Sequence, residues 1–235
     1  MIAVIADIHG NLPALESVLS DIDKYKPDCI ISLGDVSGYY PFINECVELL
    51  DSRNVTNILG NHDRYIIDNI DCPRSYSANQ CLIYQRSVIQ DDNRKWLQKS
   101  VPFIRLDDTL MLHGGIKDYE DEYIYKLSDS YFSKMAEKYC FCGHTHVQKK
   151  VLLRSGKVFI NPGAVGQPRD GDPRAAYCLY DEKYGQVKLI RVSYNIKVVA
   201  EKMNSLGFEE KYYSNLYNGT RIGGKVDTIS YGDIK

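Results

Sequence analysis

All five histidines of the 235-residue chain, at positions 9, 62, 113, 144 and 146, fall in glycine-bounded segments that follow short apolar runs. Segments of the same kind carry Asp7, Asp35 and Asn61. A lone histidine is most often a satisfied structural residue. Five in equivalent places beside two carboxylates and an amide instead read as one site. Imidazole nitrogen with carboxylate and amide oxygen, and no thiolate, suits divalent Mn, Fe, Zn, Co or Ni rather than a closed Cys-rich zinc site. Eight polar groups are too many for one ion. Two ions about 3.5–4 Å apart would absorb them if one carboxylate bridged, and such a pair clamps the attacking and leaving oxygens of a displacement at phosphorus. Asp7 and His9 are i and i+2, as are His144 and His146, so an extended stretch would aim each pair to one side.

The elements that must position these groups follow from hydrophobic patterning. Residues 2–6, 29–33 and 55–59 are continuous apolar runs of the kind found in strands buried on both faces. Between them, 12–25 and 42–50 carry apolar residues at helical spacing, the second after Pro41. The order β-α-β-α-β implies a parallel sheet, and ligands bind at the carboxyl ends of such strands. Residues 75–99 read as helical and are stopped by Pro102, followed by strands at 103–106 and 109–112, the latter running into His113. Segment 116–127, acidic and Tyr-rich, reads as a solvated connection rather than a lid. A helix is expected over 128–138. The β-like runs at 139–142, 147–153, 157–160, 175–180 and 186–194 suggest a second, antiparallel sheet. Residues 195–218 read as a helical tail and 219–235 as an irregular or partly frayed end.

The length suits one domain, and 44% hydrophobic with 26% charged residues is ordinary for a globular protein. A formal charge of −2 gives no global field toward nucleic acid or an anionic membrane, so any affinity for phosphate must be local. Seven cysteines, odd in number and mostly in apolar stretches, suit reduced thiols and a cytoplasmic setting. Cys140 and Cys142 form a C-x-C that could bind metal but reads as strand alternation with Phe141. No run approaches the about 18 apolar residues of a membrane span.

The blocks Asp7-x-His9-Gly10-Asn11, Gly34-Asp35, Gly60-Asn61-His62-Asp63, His113-Gly114-Gly115 and Gly143-His144-Thr145-His146 together resemble the calcineurin-like metallophosphoesterase superfamily. Asn161-Pro162-Gly163 resembles its smaller, YfcE-like branch. The resemblance implies a four-layer α/β/β/α sandwich of two mixed sheets flanked by helices. It implies one metal site from Asp7, His9, Asp35 and His146, and another from Asp35, Asn61, His113 and His144, with Asp35 as the bridge. His62 is then no ligand but donates a hydrogen bond or proton at the phosphate, with Asp63 as its orienting partner. Water between two such charges loses a proton readily, and the hydroxide attacks phosphorus in line.

The superfamily spans protein phosphatases, nucleases, nucleotide hydrolases and phosphodiesterases, so the substrate is read from departures. The protein phosphatases carry an arginine in G-D-x-V-D-R-G; here Gly34-Asp35-Val36-Ser37-Gly38-Tyr39-Tyr40 has none. Arg169 offers a replacement phosphate grip, although a turn salt bridge with Asp170 or Asp172 also accounts for it. Asn11 and Tyr39 are further candidates for substrate contact. Basic groupings such as Lys149-Lys150 are too sparse for a nuclease track. The expected activity is hydrolysis of a small phosphodiester or nucleotide-like substrate with two divalent ions, Mn foremost. The alternatives are a dinucleoside polyphosphate hydrolase, a phosphomonoesterase, or a non-catalytic binding module like the retromer subunit, which lacks several ligands.

Overall fold

In the computed structural model, which describes residues 1–232, the first apolar run forms β1 (Ile2–Ile5), whose alternate side chains enter two different cores. Ala3 and Ile5 pack against helices, whereas Ile2, Val4 and Ala6 meet Met111, Phe141 and Ile160 of a second sheet. Burial on both faces is why the run lacks polar alternation. α1 (Leu12–Ile22) turns Ala14, Leu15, Val18, Leu19 and Ile22 onto the first core, and Asn11 caps it by accepting from the Ala14 amide at 3.2 Å. Each large side chain buried in this way contributes roughly 1.5–3 kcal/mol. β2 (Cys29–Ser32), α2 (Ile43–Ser52) and a short β3 (Thr56–Asn57) complete the expected order, with β1, β2 and β3 in parallel register. α3 (Asn61–Ile67) follows directly on the polar block after β3.

The helical stretch expected over 75–99 is divided into α4 (Tyr76–Val88) and α5 (Asp91–Gln98), with Ile89 and Gln90 extended between them. Asn44 on α2 causes the break. Its amide donates to the Val88 carbonyl at 2.8 Å and accepts from the Gln90 amide at 2.9 Å, replacing the bonds a continuous helix would make.

β4 (Ile104–Leu106) and β5 (Thr109–Leu112) pair antiparallel, and β6 (Lys126–Leu127) leads into α6 (Asp129–Phe132). The helix expected to reach residue 138 ends at Phe132 because the chain beyond is captured by the β4–β5 turn. There the Lys138 amide donates to the Asp108 backbone and carboxylate, and Tyr139 to the same carbonyl. β7 (Tyr139–Cys142), β8 (Lys149–Leu152) and β9 (Val158–Asn161) follow. The second sheet runs β4-β5-β7-β9-β8.

The expectation of an antiparallel second sheet is only partly met. β7 is parallel to both β5 and β9, and only β4 and β8 at the edges run against their neighbours. The central strands are buried on both faces, as parallel strands usually are. β10 (Ala175–Asp181) and β11 (Gln186–Val192) leave this sheet and extend the first one, giving the order β11-β10-β1-β2-β3.

Two five-stranded mixed sheets thus stack face to face. α1, α2, α4 and α7 (Ile196–Ser205) cover the outer face of the first. The outer face of the second carries a thinner layer, in which α6 and the preceding loop bury Leu110, Cys140 and Phe159. The helical tail shortens to α7 and two 3₁₀ turns, Glu210–Tyr212 and Ser214–Tyr217. The irregular end is tied down instead of frayed: the Asp227 amide donates to the Arg169 carbonyl at 2.7 Å, and β12 (Ser230–Tyr231) pairs with β6. Residues 233–235 of that end lie outside the described residues. All seven cysteines are free, and Cys140 and Cys142 lie on one face of β7 with sulfurs 3.6 Å apart, as strand neighbours.

The loop at Gly166 is pressed against the first strand end, its amide donating to the Asp7 carbonyl at 2.9 Å, and a β-carbon there would overlap the Ile8 carbonyl. Gly166→Ala should therefore cost about 2 kcal/mol, lowering Tm by roughly 4–8 °C in a chain of this size. An unchanged thermal melt would show that this loop is looser than described.

Candidate metal centre

The strand-end blocks converge. The Asp7 amide donates to Gly34 at 3.0 Å and His9 to Asp35 at 2.9 Å, so the loops after β1 and β2 run side by side. The Gly143 amide donates to His113 at 2.9 Å and joins the loops after β5 and β7 in the same way. The sequence-based expectation of extended i, i+2 pairs is corrected here. Asp7, His9, Asp35, His144 and His146 all adopt positive φ, between 52° and 63°. Asp, Asn and His tolerate the left-handed region better than most side chains, and a cluster of such residues marks a functional constraint. The backbone curls twice at each pair, and both side chains still face one cavity because of the curl.

The geometry separates two donor groups. In the first, His9 Nε2 lies 3.2 Å from His146 Nε2, which is 3.5 Å from an Asp7 oxygen. In the second, His113 Nε2 lies 3.2 Å from Asn61 Oδ1 and 3.1 Å from His144 Nδ1. Neighbouring ligands of one ion, with bonds of about 2.1 Å, are separated by about 3.0–3.4 Å. Asp35 stands between the groups. Its Oδ2 is 3.7 Å from His9 Nε2 and 3.3 Å from His113 Nε2, is buried, and has no hydrogen-bond partner. Its Oδ1 is held by the His62 amide at 2.8 Å. A buried carboxylate oxygen without a donor is costly, and the position fits a cation.

The tautomers agree with this arrangement. His9, His113 and His146 each donate Nδ1–H to a backbone carbonyl, of Ser37, Leu33 and Gln167, at 2.7–2.8 Å, which turns each Nε2 toward the cavity. His144 is reversed: Nδ1 faces the cavity and Nε2 lies 3.5 Å from Asp121. Burial lowers the His9, His144 and His146 pKa values well below the usual range, so all three are neutral and able to ligate. Burial also pushes Asp7 up to about 7, helped by the nearby Asp35. Asp35, despite its burial, is held low by His113, which Asp35 and Asp7 in turn raise against its own desolvation.

His62 borders the same cavity, its Nδ1 buried without a partner and its pKa pushed down to about 4 by burial. It also shares a cluster with His9 and Asp35. Asp63 makes no hydrogen bond to it. The Asp63 carboxylate accepts from the Ser37 amide and hydroxyl, both at 2.9 Å, so the orienting role expected for it falls on the Ser37 loop rather than on His62.

Of the residues expected to meet substrate, Tyr39 and Arg169 line a cavity of about 150 Å³ beside His62 and Asn61. Asn11 does not. Its side chain caps α1 and donates to the Gly166 carbonyl at 2.8 Å. The turn salt bridge considered for Arg169 is absent: Asp170 pairs with Arg191 and Asp172 with Arg174. Arg169 bonds Gln167 at 2.7 Å and the Tyr39 hydroxyl at 3.2 Å. Tyr40 is core, its hydroxyl accepting from Gln167 at 3.0 Å. Segment 116–127 is more than a solvated connection, since the Tyr123 ring lies 3.8 Å from that of His144. Arg74, Tyr123 and Arg221 reach the cavity without any signal in the sequence except their residue types.

A family model described as "Calcineurin-like phosphoesterase superfamily domain" matches residues 1–185, which hold every ligand block. The chain belongs to this superfamily. An uncharacterized protein of Methanocaldococcus jannaschii is 37% identical over 226 residues, spanning 86% of this chain and 91% of its own. A metallophosphoesterase from Sphaerobacter thermophilus superposes with a TM-score of 0.81 at 33% identity, over 93% of this chain and 99% of that one. A hypothetical protein from Pyrococcus horikoshii OT3 shares the fold, with a TM-score of 0.78 at 21% identity over 93% and 99%. As a calcineurin-like phosphoesterase the chain is a divalent-metal-dependent hydrolase of phosphoric esters, and its Asp and His groups are able to hold such metal. No helix among the described residues is long and apolar enough to cross a membrane.

A metal held by Asp7 and His113, raised to about 7 and about 9, would have to displace their protons, so affinity for Mn should climb with pH through that range. Titrating Mn into weakly buffered protein at neutral pH should acidify the solution. A pH-independent Kd with no proton release would contradict the ligand assignment.

Proposed function

We propose that the chain hydrolyses a small phosphodiester or nucleotide-like substrate at a binuclear metal centre. Asp7, His9, Asp35 and His146 hold one ion; Asp35, Asn61, His113 and His144 hold the other. The observation that carries this reading is the unsatisfied Asp35 Oδ2, buried between His9 and His113 of the two donor groups. Two divalent ions there, Mn foremost, supply Lewis acidity to the ester and make nearby water more acidic.

The chain's own residues do the rest. His62, neutral through burial, keeps one N–H to donate to a phosphate oxygen or to the leaving oxygen. Its backbone amide holds the shared carboxylate, so ring and bridge are fixed by one residue. Arg169 is buried and carries a full charge with only neutral partners, Gln167 and Tyr39, which leaves it available to a phosphate oxygen. Tyr39 packs edge-on against His9 and tilts over His62, giving the cavity an apolar wall beside both rings. The small cavity supports a small substrate over a protein or a nucleic acid strand. The free cysteines support a reducing, cytoplasmic setting.

Mn-loaded protein should turn over bis-p-nitrophenyl phosphate, with about two metals per chain by elemental analysis. His62→Ala should lower kcat at least about 100-fold while keeping the metals, and Asp35→Asn should lose both metal and activity. Full activity in either variant, or fewer than one metal per chain in the wild type, would count against this mechanism.

A further inference from the structure

The cavity that opens from His62 and Asn61 continues past Tyr123 to two more arginines, Arg74 and Arg221. Their guanidinium carbons lie 5.4 and 5.8 Å from the centre of the Tyr123 ring, which itself lies against the His144 ring. Arg74 precedes α4 and pairs with Asp121. Arg221 belongs to the chain beyond residue 185, where the family match ends, and pairs with Asp227 and the Tyr125 hydroxyl. With Arg169, three guanidiniums face one cavity and only two carboxylates pair with them. Each guanidinium has five N–H donors. Among the described residues, Arg74 uses only Nη2, and Arg169 and Arg221 use Nε and Nη2, so the Nη1 group of all three is uncommitted to any hydrogen bond. Ser75 and Ser77 add hydroxyls on the same wall.

An ester with a single phosphate places its negative charge at the metals, His62 and Arg169, and leaves the uncommitted Nη1 groups of Arg74 and Arg221 without an acceptor. Each of the two holds a single carboxylate and stays partly exposed, so its remaining N–H groups are open to a further anion entering the cavity. We infer that Arg74 and Arg221 form a second anion subsite, and that the natural substrate carries a second phosphate beyond the one attacked. The inference rests on the proposed phosphoesterase site but adds to it the feature by which substrates are chosen. Arg221 makes the C-terminal segment a wall of the substrate cavity.

Binding and turnover test this separately. With metal-free protein at fixed ionic strength, calorimetry should show ADP binding at least about 10-fold more tightly than AMP, and Arg221→Gln and Arg74→Gln should each remove most of that difference. Equal affinities for ADP and AMP, or no measurable binding of ADP, would overturn the subsite whatever the catalytic result. With Mn-loaded enzyme, both variants should stay within about twofold of wild type on bis-p-nitrophenyl phosphate, yet raise KM at least about 10-fold for a p-nitrophenyl phosphodiester of a nucleoside bearing a second phosphate, with kcat little changed. A merely structural arginine would weaken both substrates alike, and that result would reject the subsite. Failure of bis-p-nitrophenyl phosphate turnover would instead reject the phosphoesterase reading and leave the ADP measurement to decide the anion site.

Discussion

The carboxylate of Asp35 is the constraint from which the rest of the centre follows. One oxygen is fastened to the His62 amide, and Gly60 leaves just enough room beside it, since any side chain at 60 would overlap that oxygen. The other oxygen is buried between imidazoles from both sheets and has no hydrogen-bond partner. The fold must bring β1, β2, β5 and β7 to one edge to surround this atom, and the face-to-face packing of two mixed sheets does so. Left-handed backbone at five of the surrounding residues is what lets short loops aim so many donors at one small volume.

Much of this was legible in the sequence because ligand chemistry allows few residue types. Histidine, aspartate and asparagine after an apolar run are informative wherever they recur, and all seven expected ligands meet in space. What was not legible depends on partners far along the chain. The break between α4 and α5 comes from the amide of Asn44, more than forty residues earlier, which no local pattern between 75 and 99 records. The early end of α6 comes from Asp108 in the turn between β4 and β5. The local conformation at Asp7 and His9 was misjudged for another reason: i, i+2 spacing looks the same whether the backbone is extended or curled twice to the left.

The cavity wall shows the same division. Tyr39 and Arg169 sit next to recognisable blocks and were found by adjacency. Arg74, Tyr123 and Arg221 come from a helix approach, an acidic loop and the last irregular stretch, and only tertiary structure assembles them. Asn11 errs in the other direction, since its place in a ligand block suggested substrate contact but its amide is occupied with helix capping.

The lysine pair in β8 gains a meaning from its place in the sheet. β8 is an outermost strand, with Lys149 and Lys150 exposed beside an exposed Leu152. A sheet border presents unsatisfied amides and carbonyls that invite another molecule's strand, and adjacent ammonium groups repel an identical border. The sparse basic cluster thus places two like charges where pairing with an identical border would bring them together.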